Sequence, residues 1–320
     1  MPVAPHGSWN SPITALAVTR AALRFSDSLE VDGDDLYWTE SRPLEGGRTV
    51  VVRRTRAGSI EDVTPAGRDA RTRVHEYGGG AYGVHRGVVY FANFADQRLY
   101  RHLPGEEPRP ITPEPPLPAG LRYADFTFGN GFLVSVRERH GEGEAVNELV
   151  RLPLDGSEEP QVIASGHDFF ASPRISPDGR SLCWLTWDHP DMPWNGTTLW
   201  LAEVDQRGMP GATRVVAGGR GEAIFQPEWS PDGRLHFASD RSGWWNLYRL
   251  EGTVARLIAA VAGDAGVPQW VLRQRRYAFL GDGAIAAVYA SPSGTTLLVH
   301  EINGEVRALP APGTWLAGPV

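Results

Sequence analysis

Three segments of the sequence combine residue types that can bind a ligand. In the first, His75, Glu76 and Tyr77 precede three glycines at positions 78–80. Because glycine has no side chain, such a run lets the backbone approach a neighbouring segment or a ligand closely. The carboxylate of Glu76 then suits the free amino terminus of a peptide. The structural alternative is an acid that is satisfied by backbone amides or by Arg73.

The second segment runs from Trp187 through Asp188 and His189 to Trp194 and is stiffened by two prolines. A tryptophan that buries ~200 Å² at ~25 cal/mol per Å² contributes about 5 kcal/mol before opposing terms. Most of the 11 tryptophans are therefore expected to pack inside the fold. Trp194 lies in a loop between a proline and a glycine, so it is expected to contact an adjoining domain, to line a cavity or to close its own loop.

The third segment contains Asp240, Arg241 and Trp244. An Asp–Arg pair within a hairpin is usually a local ion pair worth ~0–1 kcal/mol. The sequence therefore favours a structural role for Arg241 and Trp244, although both stay on the list of binding candidates.

The composition excludes several chemistries. All 31 basic residues are arginine, so no phosphate-loop lysine, kinase-type lysine or Schiff-base lysine exists. A formal charge of −7 without a basic run disfavours nucleic acid as a partner. The glycines at 78, 80 and 83 match Gly-x-Gly-x-x-Gly, but a strand is expected after them, so no helix N-terminus holds a pyrophosphate. No cofactor is expected.

Cys183 is the only cysteine, so thiolates can form neither an intrachain disulfide nor a metal cage. The first 20 residues show no basic region ahead of an apolar run, and no stretch approaches ~18 apolar residues. We therefore expect a cytoplasmic protein that does not associate with a membrane.

The elements that must position these segments follow from an internal repeat. An apolar pair recurs six times, at intervals of 49, 50, 50, 48 and 50 residues, beginning at Val50, Leu99, Leu149, Leu199, Leu247 and Leu297. Each unit of ~50 residues holds four short apolar runs separated by turn residues, which is typical of a propeller blade. The sequence thus predicts an all-β propeller in one domain, residues 1–320, with blades near 21–66, 67–114, 115–165, 166–219, 220–263 and 264–312.

Ser-Pro-Asp-Gly occurs at residues 176–179 and again at 230–233, and both copies are interpreted as tight hairpin turns. In a blade, the turns after the first and third strands lie on one face of the ring, here called the hairpin face. The loops after the second strands and the connections between blades lie on the other, the long-loop face. The long-loop face collects residues 41–47, 68–80, 139–146, 187–196 and 240–244 and is expected to carry function.

The sequence resembles the N-terminal propeller of bacterial acylaminoacyl and dipeptidyl peptidases of the prolyl oligopeptidase family. The resemblance extends from residue 7 to about residue 300, and its carrying segments are GSWNSPIT at 7–14, VHEYGGG at 74–80, RYAD at 122–125, SPRISPDG at 172–179 and HPDMPW at 189–194. It implies short peptides as substrates and an α/β-hydrolase domain that follows the propeller. No Gly-x-Ser-x-Gly occurs in the 320 residues, so no catalytic residue is carried over.

The family propeller usually has seven blades, and a seventh repeat would fall near position 347, beyond Val320. The chain is therefore expected either to stop within a propeller or to close a six-bladed ring by itself. Two functions compete: the non-catalytic propeller of a serine peptidase, which gates and binds substrate, and a self-contained interaction scaffold. A third, metal-dependent hydrolysis, would need ligands such as Glu76, Asp125 and Asn130 on the axis and is disfavoured.

Overall fold

The structure is a computed structural model that describes residues 7–8, 13–14, 24–25, 29–310, 313 and 316. Its described residues form six antiparallel sheets arranged as a six-bladed propeller, which confirms the predicted fold class. Residues 9–12 of the segment 7–14 lie outside the described residues. No helix in the described part of the chain is long and apolar enough to cross a membrane.

The first three blades contain thirteen strands. In chain order they are β1 Arg24–Phe25, β2 Glu30–Asp32, β3 Asp35–Arg42, β4 Arg48–Arg54, β5 Ile60–Asp62, β6 Tyr82–His85, β7 Val88–Ala92, β8 Leu99–His102, β9 Arg109–Pro110, β10 Leu121–Phe128, β11 Phe132–Arg139, β12 Val146–Pro153 and β13 Gln161–Ala164. A short 3₁₀ helix, Pro43–Glu45, lies between β3 and β4.

The other three blades contain twelve strands: β14 Phe169–Ile175, β15 Ser181–Trp187, β16 Thr198–Val204, β17 Pro210–Gly218, β18 Ile224–Trp229, β19 Leu235–Ser239, β20 Asn246–Glu251, β21 Val254–Leu257, β22 Tyr277–Phe279, β23 Ile285–Ser291, β24 Gly294–His300 and β25 Val306–Leu309. Within each blade consecutive strands pair with one another. In the first blade β1 and β2 both pair with β3 and share the inner position, and residues 26–28 between them lie outside the described residues.

The apolar core lies between successive blades. Tyr37 and Phe91 belong to a cluster between the first two blades, and similar clusters join each later blade to the next up to the sixth. Strands such as Val88–Ala92 are buried on both faces, as sheets covered on both sides should be. The first and the sixth blade each have one further face with its own apolar cluster, around Trp38 and around Val299. Among the described residues these two clusters are not joined to each other.

The first strands of the first five blades contact one another in turn and therefore line the axis of the ring. Three of these inner strands, β10, β14 and β18, shift register at a bulge, where Asp125, Ser172 and Gln226 adopt φ of +53°, +52° and +48°. A positive φ is uncommon for residues other than glycine. At these bulges Asp125 accepts hydrogen bonds from Ser172 and Arg174, and the Gln226 amide donates to the carbonyl of Tyr277.

The two Ser-Pro-Asp-Gly segments form the hairpins β14–β15 and β18–β19, as expected. In each, the serine hydroxyl donates to the aspartate, Ser176 to Asp178 at 2.6 Å and Ser230 to Asp232. Gly179 and Gly233 take φ of +71° and +81°. Both hairpins are therefore structural elements of the hairpin face.

Candidate functional site

Three connections on the long-loop face meet in one aromatic pocket of about 160 Å³. They are the connection between the first two blades, the loop after β15 and the connection between the fifth and sixth blades. The residues that line the pocket are His75, Tyr77, Gly78, Phe169, Trp187, His189, Asp191, Met192, Pro193, Trp194, Gln269, Trp270, Val271 and Leu272. Five of the nine residues singled out from the sequence are in this set, namely His75, Tyr77, Trp187, His189 and Trp194.

One wall of the pocket stands on the fourth blade. The rings of Phe169 and Trp187 stack in parallel with centroids 5.1 Å apart. His75 packs edge-on against both rings at 5.1 and 5.6 Å, and His189 packs edge-on against Phe169 at 5.1 Å. Trp187 ends strand β15 and is buried, so it belongs to the sheet and not to the loop predicted for it.

The other wall consists of Trp194, Tyr77 and Trp270. The ring of Trp194 lies 4.7 Å from that of Trp270, and Tyr77 packs edge-on against Trp270 at 5.5 Å. Trp270 is 50% exposed and Tyr77 is 64% exposed, so this wall faces solvent. Of the three alternatives stated for Trp194, the structure places it on a cavity.

The glycine run positions the pocket by allowing two backbones to touch. Gly79 forms a parallel bridge with Leu272, whose N–H donates to the carbonyl of Gly78 at 2.9 Å. A Cβ added at Gly79 would lie 2.3 Å from the Leu272 carbonyl oxygen. The segment that approaches the glycines is therefore the connection 258–276, which the sequence analysis did not single out.

His75 is uncharged in this environment, because burial lowers the pKa of its imidazole to about 4. Its backbone N–H donates to the Glu138 carboxylate at 2.7 Å, and a hydrogen bond with the side chain of Asn147 opposes the lowering of the imidazole pKa. The neutral imidazole therefore lines the pocket with its ring.

Two Asp–His pairs fix the loop after β15. Asp188 bonds to the ring of His167 at 2.8 Å, and Asp168 bonds to the ring of His189 at 3.0 Å. The backbone N–H of His189 also donates to Asp168 at 2.8 Å, and this bond is the largest cause of the lowered pKa of Asp168. Asp188 thus holds the loop and does not line the pocket.

Glu76 lies beside the aromatic pocket, in a second depression of about 370 Å³ that Tyr77 also lines. Its side chain is 71% exposed and accepts a hydrogen bond from Arg122 at 2.6 Å, which lowers the pKa of the Glu76 carboxyl. Arg122 thus takes the place beside Glu76 that was expected for Arg73. Arg122 also pairs with the buried Glu138 at 3.0 Å.

Glu76, Glu138 and His140 form a cluster of possible metal ligands within the described residues. Arg122 already pairs with both carboxylates, and the His140 ring bonds to Glu138 at 2.6 Å. With a guanidinium neutralising part of its charge, this group does not fit a divalent cation. Asp125, another ligand considered for a metal, is also occupied, because both of its oxygens accept hydrogen bonds from Ser172 and Arg174.

Arg241 and Trp244 stand apart from the pocket. The predicted Asp240–Arg241 ion pair is wrong: Arg241 pairs with Glu222 at 2.6 Å and covers the ring of Tyr248, whereas Asp240 accepts the N–H of Ala223 at 2.8 Å. Both side chains bond to the connection that precedes β18, at two neighbouring residues, instead of to each other. Trp244 is half-buried on the same face without lining the cavity.

Charged side chains occupy the axis of the ring below the pocket. We call Glu30, Asp125, Arg174, Glu228, Arg273 and Arg275 the axial charge network. Arg174 pairs with Asp125 at 2.9 Å and with Glu228 at 3.0 Å, and Glu30 pairs with Arg273 at 2.8 Å and Arg275 at 3.2 Å. Burial opposes the charge of Arg174, but the two carboxylates outweigh it and raise the pKa of that guanidinium.

Neither a protein-family model nor a curated protein sequence matched this chain. Solved structures did match. A puromycin-hydrolysing peptidase from Mycobacterium tuberculosis is 37% identical with a TM-score of 0.90, over 99% of this chain and 51% of that one. A puromycin hydrolase is 36% identical with a TM-score of 0.90, over 99% of this chain and 51% of that one. This chain thus spans about half the length of the peptidases it matches.

A more distant match supports the architecture. A prolyl endopeptidase is 13% identical with a TM-score of 0.65, and the match covers 91% of this chain and 43% of that one. At this identity the likeness shows the fold alone.

Proposed function

We propose, from the premise that this chain is a propeller of the prolyl oligopeptidase family, that it binds and gates short peptides for an α/β-hydrolase domain following it in the same polypeptide. The observation that supports the proposal most directly is the 37% identity over 99% of this chain with half of a puromycin-hydrolysing peptidase. Puromycin and related aminoacyl amides are then substrates to test. The comparisons favour this function over an interaction scaffold.

The proposal assigns the long-loop face to substrate. Pockets lined mainly by apolar and aromatic side chains with a few polar groups are the usual ligand sites of proteins, and this face carries one. The axial charge network lies on the axis between the long-loop face and the hairpin face. We therefore propose that substrate does not pass along the axis, and that it reaches the long-loop face from the side on which the hydrolase domain docks.

We propose that Glu76 receives the amino terminus of the substrate. Glu76 is exposed, its lowered pKa keeps it anionic at neutral pH, and the two carboxylates of Glu76 and Glu138 share one guanidinium, that of Arg122. The exposed carboxylate of Glu76 can pair with an ammonium group, although Arg71 and Arg73 also line this depression. This assignment selects the dipeptidyl type, with a free amino terminus, over the acylaminoacyl type, with a blocked one.

Kinetics of the intact protein test the assignment. In Glu76→Gln, kcat/KM for a substrate with a free amino terminus should fall about 10- to 100-fold, as expected for a lost charge-assisted hydrogen bond, and that for its N-acetylated counterpart should stay unchanged. Arg241→Gln, on the same face outside the pocket, is the matched control. Equal losses for both substrates would refute the role of Glu76.

The domain assignment has its own test. The reading frame after the codon for Val320 should encode Gly-x-Ser-x-Gly within ~250 residues, the size of fold that houses this motif. Residues 1–320 alone should neither hydrolyse peptide substrates nor react with a fluorophosphonate. Stoichiometric labelling of a serine in this chain would overturn the proposal.

We further propose a cytoplasmic location, in keeping with a single, buried cysteine, Cys183.

A further inference from the structure

The aromatic pocket is lined by Gln269, whose buried Oε1 has no hydrogen-bond partner among the described residues. Gln269 is only 8% exposed, so its amide oxygen is held away from solvent by its surroundings. Leaving a buried polar group unpaired is costly, and folded proteins rarely do so without a reason. A ligand that supplies a hydrogen bond would remove this cost.

The rest of the pocket fits an aromatic ring. Phe169, Trp187 and His75 form one aromatic wall, and Trp194 and Trp270 form the other. Aromatic rings pack favourably against such walls in stacked or edge-on arrangements. The cavity of about 160 Å³ has room for one side chain, not for a folded segment.

We propose that this pocket binds a tyrosine-type side chain of the peptide substrate, an aromatic ring that carries a hydroxyl group. The ring packs between the two walls, and the hydroxyl donates to Oε1 of Gln269. That the ligand comes from a peptide substrate rests on the proposed function. The preference for an aromatic ring with a hydroxyl group depends only on residues of this 320-residue chain, so it can be tested without the hydrolase domain.

A basic side chain is the competing ligand class, because aromatic walls attract cations and Asp191 also lines the pocket. Two observations favour the hydroxyl. The unpaired Gln269 oxygen can accept one hydrogen bond within a mainly apolar site. An ammonium group would have to lose its hydration shell to enter the pocket, which costs more than the desolvation of a hydroxyl group. The experiment therefore includes both classes.

Binding of N-acetyl-tyrosinamide, N-acetyl-phenylalaninamide and N-acetyl-lysinamide to the 320-residue chain tests the proposal, with ligand-observed NMR as the readout. The tyrosine amide should bind about fivefold more tightly than the phenylalanine amide, since one hydrogen bond separates them. The lysine amide should bind more weakly than both. No saturable binding of the tyrosine amide, or tighter binding of the lysine amide, would overturn the proposal.

Three variants locate the site. Trp270→Ala removes a half-exposed wall residue and should weaken binding of both aromatic amides about tenfold. Gln269→Met keeps the size of the side chain and should abolish the preference for tyrosine, with phenylalanine affinity unchanged. Trp244→Ala, a tryptophan on the same face outside the cavity, should change neither. If Trp244→Ala weakened binding as much as Trp270→Ala, or if Gln269→Met kept the preference, the site would be elsewhere. Because no catalysis is measured, these results stay distinguishable from those of the Glu76 experiment.

Discussion

The acceptor atoms of the axis and of the long-loop face are bonded differently. On the axis, each carboxylate of the axial charge network is paired with an arginine, and Asp125 bonds through both oxygens. In the aromatic pocket, Oε1 of Gln269 has no hydrogen-bond partner among the described residues. Four of the six members of the network lie on inner strands, whereas the pocket is built largely on loops. The acceptors of the axis are thus satisfied without a ligand, although the buried Nε atoms of Arg273 and Arg275 also lack a partner, and the acceptor of the pocket is not.

This contrast predicts that changes on the axis alter stability, and changes in the pocket alter binding. The largest effect is expected at Asp125, which is fully buried. Asp125→Ala leaves the Arg174 guanidinium buried beside one carboxylate instead of two and removes the acceptor of the Ser172 N–H, so it should cost about 3–5 kcal/mol of unfolding free energy. Urea denaturation measures the loss.

Asp125→Asn is the conservative companion, since it keeps an acceptor for Ser172, and it should lose less. Binding of N-acetyl-tyrosinamide to the fraction that remains folded should be unchanged in both variants. A loss below ~1 kcal/mol for Asp125→Ala would mean that the axial charge network does not support the fold.

A smaller effect is expected from two histidines, one on each side of the molecule. Burial lowers the pKa of His75, in the aromatic pocket, and of His236, beside the hairpin face, to about 4 in each case. Between about pH 6.5 and pH 4 the unfolded chain binds protons that the folded chain does not, so stability present above pH 6.5 is lost as the pH falls.

His75→Phe and His236→Phe should each flatten this acid dependence when unfolding is followed between pH 4 and 7. The two should differ in binding, because only His75 lines the pocket: His75→Phe should change the affinity for both aromatic amides, and His236→Phe should leave it unchanged. Equal effects on binding would contradict the division between the two regions.

A kinetic effect of about tenfold is expected at Trp194 in the intact protein. Trp194 packs on Trp270 at 4.7 Å, and its loss opens one wall of the pocket. Because the wall positions the substrate and does not contact its amino terminus, Trp194→Ala should lower kcat/KM equally for free and N-blocked peptides. A loss confined to free amino termini would assign Trp194 to the Glu76 site instead.

The repeat period predicted the six blades from the sequence, because the third strand of each blade carries a similar apolar pair, which is buried in most blades and half-buried in the sixth. The same register predicted that residues 75–77 and 187–194 share a face. It could not give pairwise contacts: Arg122 beside Glu76 and Glu222 beside Arg241 come from segments 46 and 19 residues away, brought together by the packing of blades and of their connections. Trp270 was missed, although a tryptophan in a connection of the long-loop face was the available signal.

The smallest effect, and the sharpest test of the division, is expected at Asp232 in a hairpin of the opposite face. Its carboxylate accepts a hydrogen bond from Ser230, which lowers its pKa, so this stabilisation is present above about pH 4 and is lost in acid. Asp232→Ala should cost ~1 kcal/mol of unfolding free energy and leave the kinetic constants of the intact protein unchanged.

Asp178→Ala, in the twin hairpin, should have the same effect, and the two losses of unfolding free energy should add, since the hairpins share no partner. If Asp232→Ala changed substrate preference while Glu76→Gln and Trp194→Ala did not, substrate would bind at the hairpin face, and the assignment of the two faces would have to be reversed.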